Sequence, residues 1–183
     1  MAWIDYKKAY DMVPHSWLKE IMRMMGVSDN VERLLSKSMG QWCTELESGG
    51  KVLGTVRIRR GIFQGDSLSP LLFVMVMTPL TMILKDESKG YKLAGADKVI
   101  NHLLFMDDLK VYAKTEQDLD MLVNVVKSYT DDIGMKFGMD KCAILVLKGG
   151  KKVSCKGLEL PDGEVMKEVD ENGYKYLGIV EAD

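Results

Sequence analysis

Cysteine and histidine are scarce in this chain. Three Cys stand at positions 43, 142 and 155, no CxxC pair occurs, and the two His are at 15 and 102. That argues against a disulfide framework and against a zinc site, and it fits a reducing, intracellular compartment, nucleus and cytoplasm both open. Neither sign of charge is in excess: 25 Lys and Arg face 27 Asp and Glu, a net charge of −2. The basic surplus that marks many nucleic-acid-binding domains is therefore missing. No secretory leader is expected, because Asp5, Lys7, Lys8 and Asp11 interrupt the opening residues. Internal repeats and low-complexity linkers are absent too. One uncharged stretch, Ser67 to Leu84, is long enough to raise a membrane question. Its two Ser, two Thr and two Pro favour a buried helix starting near Pro70 and kinked at Pro79, with no membrane partner.

What is present suits a globular fold. The chain has 183 residues, 46% hydrophobic and 28% charged, enough for one domain with a real core. Ala2-Trp3-Ile4 reads as a short strand ending at Asp5. Helices are predicted over Pro14–Met25, closed by Gly26, and over Ser28–Met39 with Ser28 as N-cap. Thr44–Leu46 and Lys51–Arg59 form a predicted hairpin around Gly49-Gly50. Val99–Phe105 and Leu109–Ala113 flank Met106-Asp107-Asp108 as a second hairpin. Helical spacing of apolar residues covers Gln117–Ile133, Cys142–Leu147 reads as a strand, and short strands with turns follow. This order implies an α+β layer, with helices on one face of an antiparallel sheet. Fourteen Met fall mostly at core-like helix positions and read as packing.

Three carboxylates stand out. Asp5 ends a strand, and Asp107 and Asp108 sit at a hairpin tip. Beside apolar strands such acids must be solvated, paired or bound to cations. Oxygen donors of this kind suit Mg²⁺, which is held by one or two carboxylates plus substrate phosphates. An Asp-Asp turn is also an ordinary turn, so the acids alone decide nothing.

Their surroundings carry more. The sequence resembles the palm of reverse transcriptases, most closely those of LINE-type, non-LTR retrotransposons. Trp3-Ile-Asp5-Tyr-Lys-Lys-Ala-Tyr10-Asp11 is similar to motif A, and Arg60-Gly61-Ile-Phe-Gln64-Gly65-Asp66 through Phe73 to motif B. Phe105-Met106-Asp107-Asp108 is similar to motif C, and Gly134 through Gly138 to Lys141 and Cys142 to motif D. Tyr176-Leu177-Gly178 resembles the primer grip. Five motifs in the family's order span nearly the whole chain.

The resemblance implies an antiparallel-sheet polymerase palm with a ferredoxin-like core, and an RNA-directed DNA polymerase activity that adds dNTPs to a DNA primer on an RNA template. It divides the chain into a palm core over 1–147 and C-terminal strands with the primer-grip-like segment over 148–183. Asp5, Asp107 and Asp108 would hold two Mg²⁺, or Mn²⁺ in their place, and Lys141 would protonate the leaving pyrophosphate. Tyr10 would lie under the incoming sugar and exclude a 2′-OH, with Gln64 and Gly65 beside the nascent base pair. Arg57, Arg59 and Arg60, together with Tyr176, Leu177 and Gly178, would meet the nucleic acid. Gly138 departs from the family's Asn, and Ser67 from its Pro. Fingers before motif A and a thumb after the grip are expected to belong to a longer polyprotein, so the chain alone reads as an incomplete enzyme. Two other readings stay open. One is a catalytically silent relic of such an element. The other is a palm-like metal-binding or cyclase-type domain, against which the Gln64 motif and Tyr10 speak.

Overall fold

The computed structural model describes residues 1–92 and 99–181. In chain order its elements are β1 (Ala2–Ile4), a 3₁₀ turn (Tyr10–Met12), α1 (His15–Met24), α2 (Asp29–Gln41), β2 (Cys43–Ser48), β3 (Lys51–Arg57) and α3 (Ser69–Asp86). Then come β4 (Tyr91–Lys92), β5 (Val99–Ile100), β6 (His102–Phe105), β7 (Asp108–Val111) and α4 (Glu116–Asp132). The short strands β8 (Ala143–Ile144), β9 (Leu147–Lys148), β10 (Lys151–Lys152), β11 (Leu158–Glu159), β12 (Val165–Glu168), β13 (Tyr174–Tyr176) and β14 (Ile179–Glu181) complete the described chain. Two compact units divide it: Met1–Ala9 with Met77–Asp183, and Tyr10–Val76.

The first unit is built on a six-stranded sheet of order β11-β12-β8-β1-β7-β6. Its pairs are antiparallel except β8 with β12, which is parallel, so the expected all-antiparallel sheet is corrected at that strand. β1 runs through the middle, and Ala2, Trp3 and Ile4 are all buried, which explains a strand without alternation at the head of the chain. α4 lies against β7 and buries Leu119, Leu122, Val123 and Val126, one helical stripe. Thr115 caps it by accepting from the Asp118 amide at 3.1 Å. Buried Lys127 pairs with Asp131 one turn on in α4 (2.7 Å) and reaches out to Asp162 (2.8 Å), tying down the turn at 161–163. The strand predicted over 142–147 is two short strands, β8 and β9, because Ile144 turns from the main sheet to a separate hairpin after Leu145 and Val146.

In the second unit α1 and α2 pack together and an Arg23–Glu32 ion pair (3.2 Å) joins them. Ser28 takes the N-cap position of α2 as expected, yet its side chain makes no capping bond. β2 and β3 pair as predicted, and every residue of both is exposed. α3 begins in this unit and continues in the first from Met77, and by length and composition alone it is long and apolar enough to cross a membrane. Its burial follows a helical stripe of Ser69, Leu72, Phe73, Val76, Met77, Leu80 and Leu84. Leu71, Val74, Met82 and Ile83 face outward, so the helix is half buried rather than enclosed. Pro79 lies within it.

Candidate active site

The register of β1 and β7 decides where the acids go. Trp3 pairs with Lys110 and Ile4 with Leu109, so Asp5, the next residue, lies opposite Asp108 at the head of β7. β6 and β7 close on a two-residue turn, Met106-Asp107, with Phe105 paired to Asp108. All three carboxylates therefore stand at one end of two central, neighbouring strands. Each is half-buried. Met106 takes a φ of 55° in this turn, a conformation that favours glycine and strains a residue with a side chain.

Burial sets the electrostatics of two of them. Burial holds the Asp5 carboxyl above the usual carboxylate range; Lys141 opposes the shift, and Asp107 and Asp108 add to it. Asp108 is likewise raised by burial and then by Asp107, with Lys141 again opposing. Lys141 Nζ lies 3.6 Å from Asp5 Oδ2, its own side chain mostly exposed and that of Asp5 only 18% exposed. Two carboxylates that resist ionisation, with one largely exposed ammonium beside them, form a site that an added cation would relieve. Among the described residues no three His, Cys, Asp or Glu converge closely enough to cage an ion unaided. The donor set thus fits an ion that keeps waters and substrate phosphates as ligands, and does not fit a closed structural metal site.

A loop running beside Asp5 supplies the lysine. The Lys7 amide donates to the Lys136 carbonyl (2.9 Å), the Gly138 amide to the Asp5 carbonyl (2.8 Å), and Tyr6 bridges Phe137. Lys136–Gly138 thereby extends the β1 edge past its end. Gly138 is pressed against the acid: a Cβ there would meet Asp5 Oδ2 at 2.7 Å. The departure from Asn at this position has a steric counterpart, since any larger side chain displaces that carboxylate. Burial pushes the Cys142 thiol up to about 11, which makes it a poor nucleophile beside the site.

The β13–β14 hairpin borders the same end of the sheet. Tyr174 Oη donates to the Lys141 carbonyl (2.8 Å), and Tyr176 Oη to the Asp108 carbonyl (3.5 Å). Its turn, Leu177-Gly178, has φ values of 48° and 83°, and Leu177 is half exposed.

The second unit holds the other candidates. Tyr10 lies flat on Phe73, ring centroids 5.0 Å apart and planes 2° from parallel. Gly61 has φ 95° and faces the Asp11 backbone, where a Cβ would come within 3.1 Å of the carbonyl oxygen. Its amide donates to Val13 (2.7 Å) and its carbonyl meets His15 Nε2 (2.7 Å). That clamp anchors one end of the 60–66 loop, whose Gln64 and Gly65 are exposed, and Asp66 turns the chain into α3 by accepting from the Leu68 amide (2.7 Å). Arg57, Arg59 and Arg60 are exposed as well.

Comparison with known families is decisive for kinship. Residues 1–180 match the family described as reverse transcriptase (RNA-dependent DNA polymerase). The chain belongs to the reverse transcriptase family. Relatives include the Pol polyprotein of the type-1 retrotransposable element R2 of Popillia japonica, 30% identical over 180 residues, 96% of this chain and 30% of that protein. The type-2 R2DM polyprotein of Drosophila melanogaster is 31% identical over 98% of this chain and 17% of its own length. The R2 polyprotein of Nasonia vitripennis is 30% identical over 98% of this chain and 18% of its own length. The domain is thus of the LINE-type, non-LTR kind, and it spans between 17% and 30% of these relatives.

Within this reverse transcriptase domain, the residues that motif matching singled out in the first unit come together: Asp5, Asp107, Asp108 and Lys141 at one sheet end, with Tyr176 on the Asp108 backbone. Those in the second unit line a turn and an exposed loop. Lys110, buried two residues after Asp108, belongs to none of these motifs. Period two puts Asp108 and Lys110 on one face of β7, as it does Trp3 on β1 and Asp5 just past its end, but it does not by itself bury the lysine.

Proposed function

We propose that this domain carries the polymerising centre of a retrotransposon reverse transcriptase, adding dNTPs to a DNA primer on an RNA template. The observation that carries the reading is the meeting of Asp5 with Asp107 and Asp108 at adjacent strand ends, where burial and the neighbouring Asp107 carboxylate both raise Asp5 and Asp108. Asp5 and Asp107 would hold two Mg²⁺, with Asp108 in support and Mn²⁺ as the substitute ion. When bound, such a pair stabilises the attacking and leaving oxygens of an in-line phosphoryl transfer. Lys141, mostly exposed beside Asp5, would hand a proton to the departing pyrophosphate. Tyr10 would exclude a ribose 2′-OH with a ring that Phe73 keeps flat. Gln64 and Gly65 would flank the nascent base pair, and Arg57, Arg59 and Arg60 would take template phosphates. Tyr176, Leu177 and Gly178 would grip the primer.

The same reading makes the sheet a polymerase palm over residues 1–147, with the grip segment in 148–183. In its favour, β1, helix, β6, β7, α4 and β8 follow a βαββαβ order, and their spatial order β8-β1-β7-β6 is that of a ferredoxin-like sheet. Positioning is most of phosphoryl-transfer catalysis. Fingers and thumb from a longer polyprotein would supply the rest of it, as the greater length of the relatives suggests.

The experiment is template-dependent dNTP incorporation by a polyprotein carrying this domain. Asp107→Asn should abolish it, by at least about a hundredfold, and Tyr10→Val should admit rNTPs. Synthesis that survives Asp107→Asn would end the reading.

A further inference from the structure

One face of the sheet holds a buried cation two residues from Asp108. Lys110 is 5% exposed, in the middle of β7. Its ammonium lies over three rings, Trp3 at 4.8 Å, Tyr112 at 5.2 Å and Tyr176 at 5.5 Å, and it forms an ion pair with Glu181. Trp3, its register partner on β1, donates from Nε1 to the same Glu181 oxygen (3.0 Å) and stacks on Tyr174 at 4.8 Å. Glu181 is the last residue of β14, while Tyr174 and Tyr176 bound β13. One lysine therefore touches both strands of the hairpin and the two central strands that carry the acids.

We propose that Lys110 is a positioning residue: its buried ammonium, caged by Trp3, Tyr112 and Tyr176 and paired with Glu181, latches the β13–β14 hairpin to the strand bearing Asp108. A hydrocarbon side chain would fill the space, but it would ask for no particular partner. A desolvated ammonium demands its carboxylate and its ring faces together, so it selects one placement of the hairpin. That placement carries Tyr174 Oη to the Lys141 carbonyl and Tyr176 Oη to the Asp108 carbonyl, and with them the Leu177-Gly178 tip. Removing the cation strands the Glu181 carboxylate on the Trp3 edge and frees the hairpin to shift against the acids. The consequence for primer handling rests on the function proposed above; the latch itself does not.

The test is hydrogen exchange across the 183-residue chain, comparing Lys110→Met, Lys110→Arg and Glu181→Gln with the unsubstituted protein. Lys110→Met should speed exchange in Tyr174–Glu181 about tenfold, with α1 and α2 unaffected. Arg, which keeps charge and ring stacking, should restore most of the protection. Glu181→Gln, which leaves the buried stem in place, should loosen the same hairpin even if Lys110→Met folds poorly. Unchanged hairpin exchange in both Lys110→Met and Glu181→Gln overturns the latch. In primer extension by the longer polyprotein, Lys110→Met should raise KM for primer–template about tenfold and leave KM for dNTP within about twofold. A loosened hairpin with unaltered primer KM overturns the positioning role. No synthesis by the unsubstituted protein counts against the proposed polymerase function alone, because exchange still decides the latch.

Discussion

Among the described residues four hairpins turn on two residues, and they divide into two kinds. β2–β3 turns on Gly49-Gly50 and β9–β10 on Gly149-Gly150, every one of these glycines at positive φ. Those turns use the residues their geometry favours. β6–β7 turns on Met106-Asp107 and β13–β14 on Leu177-Gly178, with Met106 at φ 55° and Leu177 at φ 48°. Here a bulky side chain occupies a left-handed position. Only Lys8, three residues after Asp5, joins them as a described non-glycine residue at positive φ. The glycine turns lie on hairpins whose strands are almost entirely exposed. Of the strained turns, one holds Asp107 itself and the other follows Tyr176, whose Oη donates to the Asp108 carbonyl. Local rules are obeyed where the chain only has to reverse and broken at the turn that carries Asp107 and at the turn of the hairpin packed on the Asp108 strand.

The sharpest way to break this contrast is at glycine itself. Gly138→Ala places a methyl 2.7 Å from Asp5 Oδ2 on a buried loop, so the carboxylate must swing away from Lys141. Nucleotide addition should fall about tenfold with the fold intact, a displacement effect on positioning. Gly54→Ala on exposed β3 meets nothing within 4 Å and should cost no activity. Steady-state kinetics of both variants settle it; equal rates would show that the Gly138 contact does not hold Asp5.

Much of this was legible in the sequence because motif and pattern pointed the same way. The strand ending at Asp5, the hairpin at Asp107, the helices near Pro14 and after Ser28, and the helix over Gln117–Ile133 follow from caps, turns and apolar spacing, while the Thr115 cap of the last is seen only in the fold. The family's motifs identified the acids, and β-strand register then brought Asp5 opposite Asp108. Lys110 was not legible, since a lone Lys in a strand normally signals a solvated edge; only pairing with Trp3 and a hairpin arriving from seventy positions away bury it. The parallel β8–β12 pair was hidden for a similar reason: strands of two and four residues carry too little periodicity to reveal their partners.

Exchanging turn residues tests the strain. Gly49→Met puts a side chain at φ 59° in an ordinary hairpin and should cost about 1 kcal/mol, a fall in Tm of about 2–4 °C. Met106→Gly relieves comparable strain but adds freedom to the unfolded chain, about 0.5–1 kcal/mol in the other direction. Its Tm should stay within about 2 °C, while nucleotide addition drops a few-fold as Asp107 loses its fixed turn. A large destabilisation by Met106→Gly would mean that the Met side chain, not the site, explains its presence.

The smallest expected effect concerns pH. Asp5 and Asp108 have carboxyls raised above the ordinary 3.8 by burial, so between that value and their raised ones the folded chain binds more protons than the unfolded chain. Stability contributed by these groups must then fall as pH rises through that window. Asp162, lowered by its hydrogen bond from Lys127, and Glu168, lowered by the Cys155 amide, slope the opposite way. The informative quantity is therefore the difference between Asp108→Asn and its parent, in which those shared terms cancel. That difference in Tm should grow in favour of the variant from pH 4 to pH 7, to about 1–2 °C, since both acids stay partly solvated. Added Mg²⁺ should narrow it by stabilising the parent, at the very position where the variant gives up its activity. A difference that shrinks with rising pH would mean the acids are stabilised as anions by neighbours on the fold, and that the glycine-turn hairpins and the acid-bearing ones do not differ in kind.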